Sequence, residues 1–240
     1  MTNELAGGAG PRTSPGSVLF SSYNLLNLFA GDAAEDRGHY EAVTGVIRAL
    51  GTDVLAVQEI LAPDGDTAAQ RLRRLADDAG LHCEVPGPGG ARDAALAFGG
   101  HGYHVGLMWR DGIEPVPGSL RCYGGRDFWH GLAIVTLDVG GALIRHGAFH
   151  ATPFGRGLRA DQNERLVAAI TRPAGEPPGD RAARRRHGRA PGARHRADAG
   201  GLRPPPGDGR VPAGGGARLA RYADGRAAAR SGICIFCHLS

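Results

Sequence analysis

Residues 53–57, Asp-Val-Leu-Ala-Val, form a short apolar run that leads straight into Gln58-Glu59. Open α/β sheets hold ligands beyond the carboxyl ends of their strands, so this is a place where chemistry can sit. A carboxylate there either turns to solvent or meets a cation. Glu59 therefore reads as a solvent-facing residue or as a hard-oxygen ligand for a divalent ion such as Mg²⁺. Asn24 closes an earlier strand within Ser21-Ser-Tyr-Asn-Leu-Leu-Asn27. Its neutral amide suits a phosphate oxygen, a metal-bound water or the metal-binding carboxylate itself, and suits a turn equally well. His150 ends the run Gly147-Ala-Phe149 and precedes Ala-Thr-Pro. An imidazole at that point can donate to a transferring phosphoryl group or lie at the surface.

These residues need elements to hold them. Residues 18–25 read as a strand between Gly/Pro-rich flanks, and 53–57 as a strand buried on both faces. Val43, Val46, Ile47 and Leu50 fall at helical spacing over 39–50, with Gly51 as the stop. A second helix is expected over 67–79, capped by Thr67 and ended by Gly80. Strands recur at 81–85, 104–110, 132–138 and 142–150, and a last helix covers 160–170. Gly140-Gly141 reads as the turn of a hairpin. Strands alternating with helices and then hairpin strands describe an α/β protein with a mixed sheet.

The chain has 240 residues, 42% hydrophobic, which is enough apolar material for a real core. No run approaches the ~18 apolar residues of a membrane span, and the first 16 residues, read as a flexible leader, lack a basic-then-apolar signal pattern. A cytoplasmic protein is expected. Four cysteines are too few and too unevenly placed for a disulfide framework. Cys234-Ile-Phe-Cys-His238 matches the c-type haem attachment spacing, but attachment needs export, so the match is read as chance.

The order Ser-Tyr-Asn-Leu-Leu-Asn27, Asp53 to Glu59, Gly106-Leu-Met-Trp-Arg110, His150-Ala-Thr-Pro and Arg159-Ala-Asp-Gln162 resembles the endonuclease/exonuclease/phosphatase superfamily, with its deoxyribonuclease-I-like fold. The resemblance covers residues 17–172. It implies a four-layer α/β sandwich and metal-assisted hydrolysis of a phosphodiester or phosphomonoester. It also implies a Mg²⁺ site, or Mn²⁺ in its place, organised by Asn24 and Glu59, with His150 on the scissile phosphate and Arg110 as a further catalytic residue. The partner is then a phosphate-ester substrate; DNA, RNA, a lipid phosphodiester and a soluble ester all remain open.

The pattern breaks at residue 173. Residues 1–173 carry 15 Arg against 19 Asp and Glu, whereas 174–240 carry 13 Arg against 5, and the chain has no lysine. From 174 to 232 the large apolar residues are Leu202, Val211, Leu219 and Tyr222, too few to offset ordering entropy. The superfamily's Gly-Asp-x-Asn motif is missing, since Gly179-Asp180 is followed by Arg181-Ala182, and no Asp-His dipeptide occurs. Residues 173–240 therefore read as a disordered tail. Their composition matches out-of-frame translation of a GC-rich gene; a basic nucleic-acid-binding tail on a noncatalytic protein is the alternative. On this reading the C-terminal sheet is missing or disordered and one sheet face is left uncovered for self-association. The chain as it stands is expected to be inactive or nearly so.

Overall fold

The alternation within each strand decides the layering. In a computed structural model, which describes residues 17–30, 33–125, 127–152, 154–172, 218–223 and 232–238, the strands β1 (Ser17–Leu28) and β2 (Val54–Leu61) run parallel at the centre of a first sheet. β6 (Tyr103–Trp109) lies antiparallel to β2, and β5 (Leu96–Phe98) lies antiparallel to β6. Leu55 and Val57 of β2 point to one face, where helices α1 (Ala33–Leu50) and α2 (Gly65–Ala79) bring Val43, Ile47, Leu72 and Leu75. Val54 and Ala56 point to the other face. Both faces of β2 are dry, which is why its sequence is apolar without alternation.

The opposite face is covered by a second sheet. Its strands are β7 (Ile113–Pro115), β8 (Arg121–Tyr123), β9 (Leu132–Val139) and β10 (Ala142–His150). Ala133, Val135 and Leu137 of β9 meet Phe20, Val54, Ala56 and Leu107 of the first sheet. Leu132 and Ile134 face outward, against Leu166, Ala169 and Ile170 of α3 (Arg156–Thr171). The order helix, sheet, sheet, helix is the four-layer α/β sandwich. Gly140 (φ 62) and Gly141 (φ 88) turn the β9–β10 hairpin in the left-handed region that its two-residue turn needs. A separate small hairpin pairs β3 (Glu84–Pro86) with β4 (Arg92–Ala94).

Three expectations are corrected. The first sheet is not left uncovered, because residues 113–150 form a sheet that packs on it, so the face expected to drive self-association is covered within the chain. The tail is not wholly irregular. β11 (Arg218–Ala223) pairs antiparallel with β1, and β12 (Gly232–His238) pairs parallel with β10, so each adds an edge strand. Edge pairing draws on backbone hydrogen bonds and does not require the apolar alternation missing from this part of the sequence. Residues 218–223, expected to be irregular, are thus a strand; the rest of the 174–232 stretch and the Arg-rich run at 184–186 lie outside the described residues. Finally, the α2 cap is Asp64, whose carboxylate accepts the Thr67 N–H at 2.8 Å. No described helix is long and apolar enough to cross a membrane.

Candidate active site

Glu59 leaves the ladder on both sides of β2. Asn24 pairs with Gln58 and Leu28 with Ile60 across β1, while Val105 pairs with Gln58 and His104 with Ile60 across β6. Glu59 is thus a bulge residue, held at φ 64, a left-handed conformation that costs a non-glycine residue about 1–3 kcal/mol. Neighbouring Gln58 is fully buried and trades hydrogen bonds with Ser22, which pins the strand just before the bulge. The bulge aims the Glu59 carboxylate at β1. There Asn24 Nδ2 donates to Oε1 at 2.8 Å and the Asn27 N–H donates to Oε2 at 3.0 Å.

Asn24 does two things at once. Its Oδ1 accepts the Leu26 N–H at 2.9 Å, the local turn that such a residue makes, and this frees Nδ2 for Glu59. Leu26 (φ 52) and Asn27 (φ 56) are left-handed too, so an irregularity in β1 faces the bulge in β2.

His150 arrives from the second sheet. It is buried at the end of β10, with Nε2 3.7 Å from Glu59 Oε1. The ring of His130 stacks on it, centroids 4.5 Å apart and planes inclined by 24°. Burial, with the neighbouring His150 adding, pushes the His130 imidazole down to about 4, so it is neutral at pH 7. Gln162 of α3 fixes the chain beyond His150 by accepting the Thr152 N–H at 3.0 Å on Oε1.

Asn24, Glu59 and His150 therefore come together, from three strands of two sheets. Arg110 does not join them. Its Nε pairs with Asp53 Oδ1 at 2.8 Å, at the other end of β2, six residues and about 20 Å of strand from Glu59. The correction has a physical reason. Asp53 is buried and its Oδ2 also takes the Leu19 N–H at 2.7 Å, so it needs a cation, and Arg110 leaves β6 at that rung. His130 and the Asn27 amide were not singled out from the sequence. Asn27 stands in the motif that contains Asn24, but nothing in the pattern around Phe128-Trp-His130 marks a stacking ring.

Among the described residues no three His, Cys, Asp or Glu side chains cluster as a metal cage. One carboxylate, braced by two donors and keeping lone pairs on both oxygens, still fits a hard cation that retains several waters and borrows phosphate oxygens from its substrate. Glu59 is the residue that would hold it.

Solved structures with a similar fold include the following three. An endonuclease/exonuclease/phosphatase family protein from Bacteroides thetaiotaomicron is 15% identical, with a TM-score of 0.47 over 66% of this chain and 59% of that one. A mannosyl-6-phosphatase from the same organism is 14% identical, with a TM-score of 0.46 over 64% and 58%. TDP2 from D. rerio, complexed with a single-strand DNA product, is 16% identical, with a TM-score of 0.42 over 64% and 53%. The chain thus spans less than two thirds of the length of each. No curated protein matches it. The sequence pattern of the Endonuclease/Exonuclease/phosphatase family, one of phosphoester hydrolases, runs across residues 21–237, and the chain belongs to that family.

Proposed function

We propose that this chain carries the metal- and phosphate-holding part of a phosphoester hydrolase, centred on Glu59, Asn24 and His150. The observation that carries the reading is the Glu59 bulge: a strained carboxylate, braced by Asn24 and Asn27 and facing a buried His, has no structural task that a relaxed strand residue would not perform better. Glu59 supplies an oxygen ligand for Mg²⁺ or Mn²⁺. When bound, such an ion neutralises phosphate oxygens and stabilises the leaving group.

Every other role falls to the chain. Asn24 and the Asn27 amide keep the carboxylate from swinging back into the ladder. His150 is placed to donate a hydrogen bond to a phosphoryl oxygen or a proton to the departing one. Gln162 fixes the loop that follows it. Water activation has no candidate of the Gly-Asp-x-Asn or Asp-His kind in the sequence. Losing a general base removes about 10²–10⁴-fold in rate, so turnover is very slow or absent.

The test is a pair of measurements on the full chain. Mg²⁺ titration by calorimetry is expected to show weak binding that Glu59→Gln abolishes; equal heats for both proteins would overturn the ligand assignment, and micromolar affinity would contradict a one-carboxylate site. Assays with Mg²⁺ on plasmid DNA and a chromogenic phosphodiester are expected to show no turnover above an Asn24→Ala, Glu59→Ala control. Robust activity lost in that control would show a complete site instead.

A further inference from the structure

A group of aromatic rings beside this centre has no part in the chemistry above. Trp129 is 37% exposed and Phe154 is 63% exposed, and their rings meet edge to face with centroids 6.3 Å apart. The exposed ring of His101 lies 4.8 Å from Trp129, on a backbone held at φ 60. Solvent-facing rings of this size are depleted at ordinary surfaces, and a cluster of them next to a reactive centre points to a ligand.

The cluster is fixed to the site by short links. Trp129 precedes His130, whose ring stacks on His150. Its carbonyl takes the Gly100 N–H at 2.7 Å, and Gly99 has no room for a Cβ against the Tyr103 and His130 carbonyls, so the two loops are locked together. Phe154 lies four residues beyond His150, its N–H donating to Thr152 Oγ1 at 3.3 Å, and Thr152 is held by Gln162. Arg156 and Arg159 follow Phe154 in the first turn of α3, and neither is in an ion pair among the described residues.

Flat π faces, unpaired guanidinium groups and a phosphate-handling centre within a few residues of one another are the recognition chemistry of a base joined to a phosphate backbone. An alkyl phosphate offers no face to stack, and a sugar offers only an aliphatic C–H face in place of a π face. We infer that Trp129 and Phe154 form a stacking platform for an unpaired base of a single-stranded nucleic acid whose phosphate lies at Glu59 and His150. This rests on the phosphoester reading, which places the phosphate, and names the substrate class within it.

Tryptophan emission reads the platform directly. The chain has two tryptophans; Trp109 is buried between the sheets, so solvent-dependent emission belongs to Trp129. The full chain, in Mg²⁺ buffer, is titrated with a single-stranded oligonucleotide, an abasic strand of the same length, and the duplex. Base-bearing single strand is expected to quench the emission, and the abasic strand to bind about tenfold more weakly. Attraction to arginines elsewhere is shared by both strands, so the ratio isolates stacking. In Phe154→Leu the ratio is expected to fall to less than threefold, and in Phe154→Tyr to be retained. The exposure of Phe154 keeps these variants folded, which thermal melts monitored by circular dichroism check. Equal affinity for abasic and base-bearing strands, a ratio unchanged in Phe154→Leu, or tighter binding of duplex would each overturn the platform. The titration is independent of the calorimetric test, so a chain whose Mg²⁺ heats are unchanged by Glu59→Gln yet shows base-dependent quenching overturns the phosphoester reading alone.

Discussion

The imidazole of His130 covers one face of the His150 imidazole, centroids 4.5 Å apart. Two stacked rings that were both protonated would repel, and burial already keeps His130 at about 4. The neutral ring can therefore pack against His150 at any pH near neutrality. Ring titration by NMR is expected to leave His130 unprotonated through pH 5, with a midpoint near 4; a midpoint close to 6.5 would show that the ring is not buried as described. His130→Ala is expected to lower stability by about 2 kcal/mol, and His130→Phe by much less, because the phenyl ring keeps the stack.

The left-handed backbone of Glu59 makes an inverted prediction about small residues. In an ordinary strand alanine is better than glycine by about 0.5–1 kcal/mol. At φ 64 the order reverses, since glycine alone is unstrained there. Both substitutions delete the carboxylate and its two hydrogen bonds, so their difference isolates the backbone. Urea unfolding is expected to find Glu59→Gly more stable than Glu59→Ala by about 1 kcal/mol. The usual order would mean that the bulge relaxes once the carboxylate is gone.

The parts of this architecture that were legible in the sequence share one property: they were written in local pattern. β2, β9 and β10 follow from apolar runs with sharp ends, and the Gly140-Gly141 turn from its two glycines. The 3-residue strands β4, β5, β7 and β8 were not visible, because they owe their pairing to neighbours such as β9 and β6 and carry no periodicity of their own. Asn24, Glu59 and His150 stand out in the sequence through the family resemblance taken as a whole; of the three only His150 ends a strand, while Asn24 and Glu59 lie inside β1 and β2. Arg110 belongs to the same motif order and lies elsewhere, because the order does not say at which end of an antiparallel neighbour a strand finishes. β6 runs against β2, so its last residue returns to Asp53. The second sheet was underestimated for a similar reason. Its two long strands, β9 and β10, are legible, but as members of one sheet, and only the facing positions of Ala133, Val135 and Leu137 reveal two.

Asp53 and Arg110 make a separable claim about stability. The carboxylate is buried, accepts from the Leu19 N–H and pairs with a half-exposed guanidinium. Asp53→Ala strands the Leu19 N–H in a dry environment and is expected to cost about 3 kcal/mol. Arg110→Ala leaves a charge with one backbone donor and is expected to cost about 1–2 kcal/mol, the lower figure because solvent reaches the pair. Mg²⁺ heats of Arg110→Ala should match those of the unaltered chain. A loss of metal binding in this variant would return Arg110 to the site.

His146 sets how the fold responds to acid. It lies on β10, wholly buried between the sheets with its ring 5.2 Å from that of Phe20, and burial pushes its imidazole down to about 3. The unfolded chain protonates this residue near 6.5, so between 6.5 and about 3 the unfolded state holds a proton that the folded state does not. Its contribution is fully present above pH 6.5 and is lost as the pH falls through that window, by up to about 1.4 kcal/mol per unit for one proton. His104 and His130 are lowered by burial as well and steepen the decline. Urea unfolding at pH 7, 6 and 5 is expected to show stability dropping with acid, and His146→Gln, which has no proton to gain, is expected to flatten the slope by about one proton's worth whatever it costs at pH 7. An unchanged slope in that variant would mean that His146 titrates alike in both states and that the space between the sheets admits water.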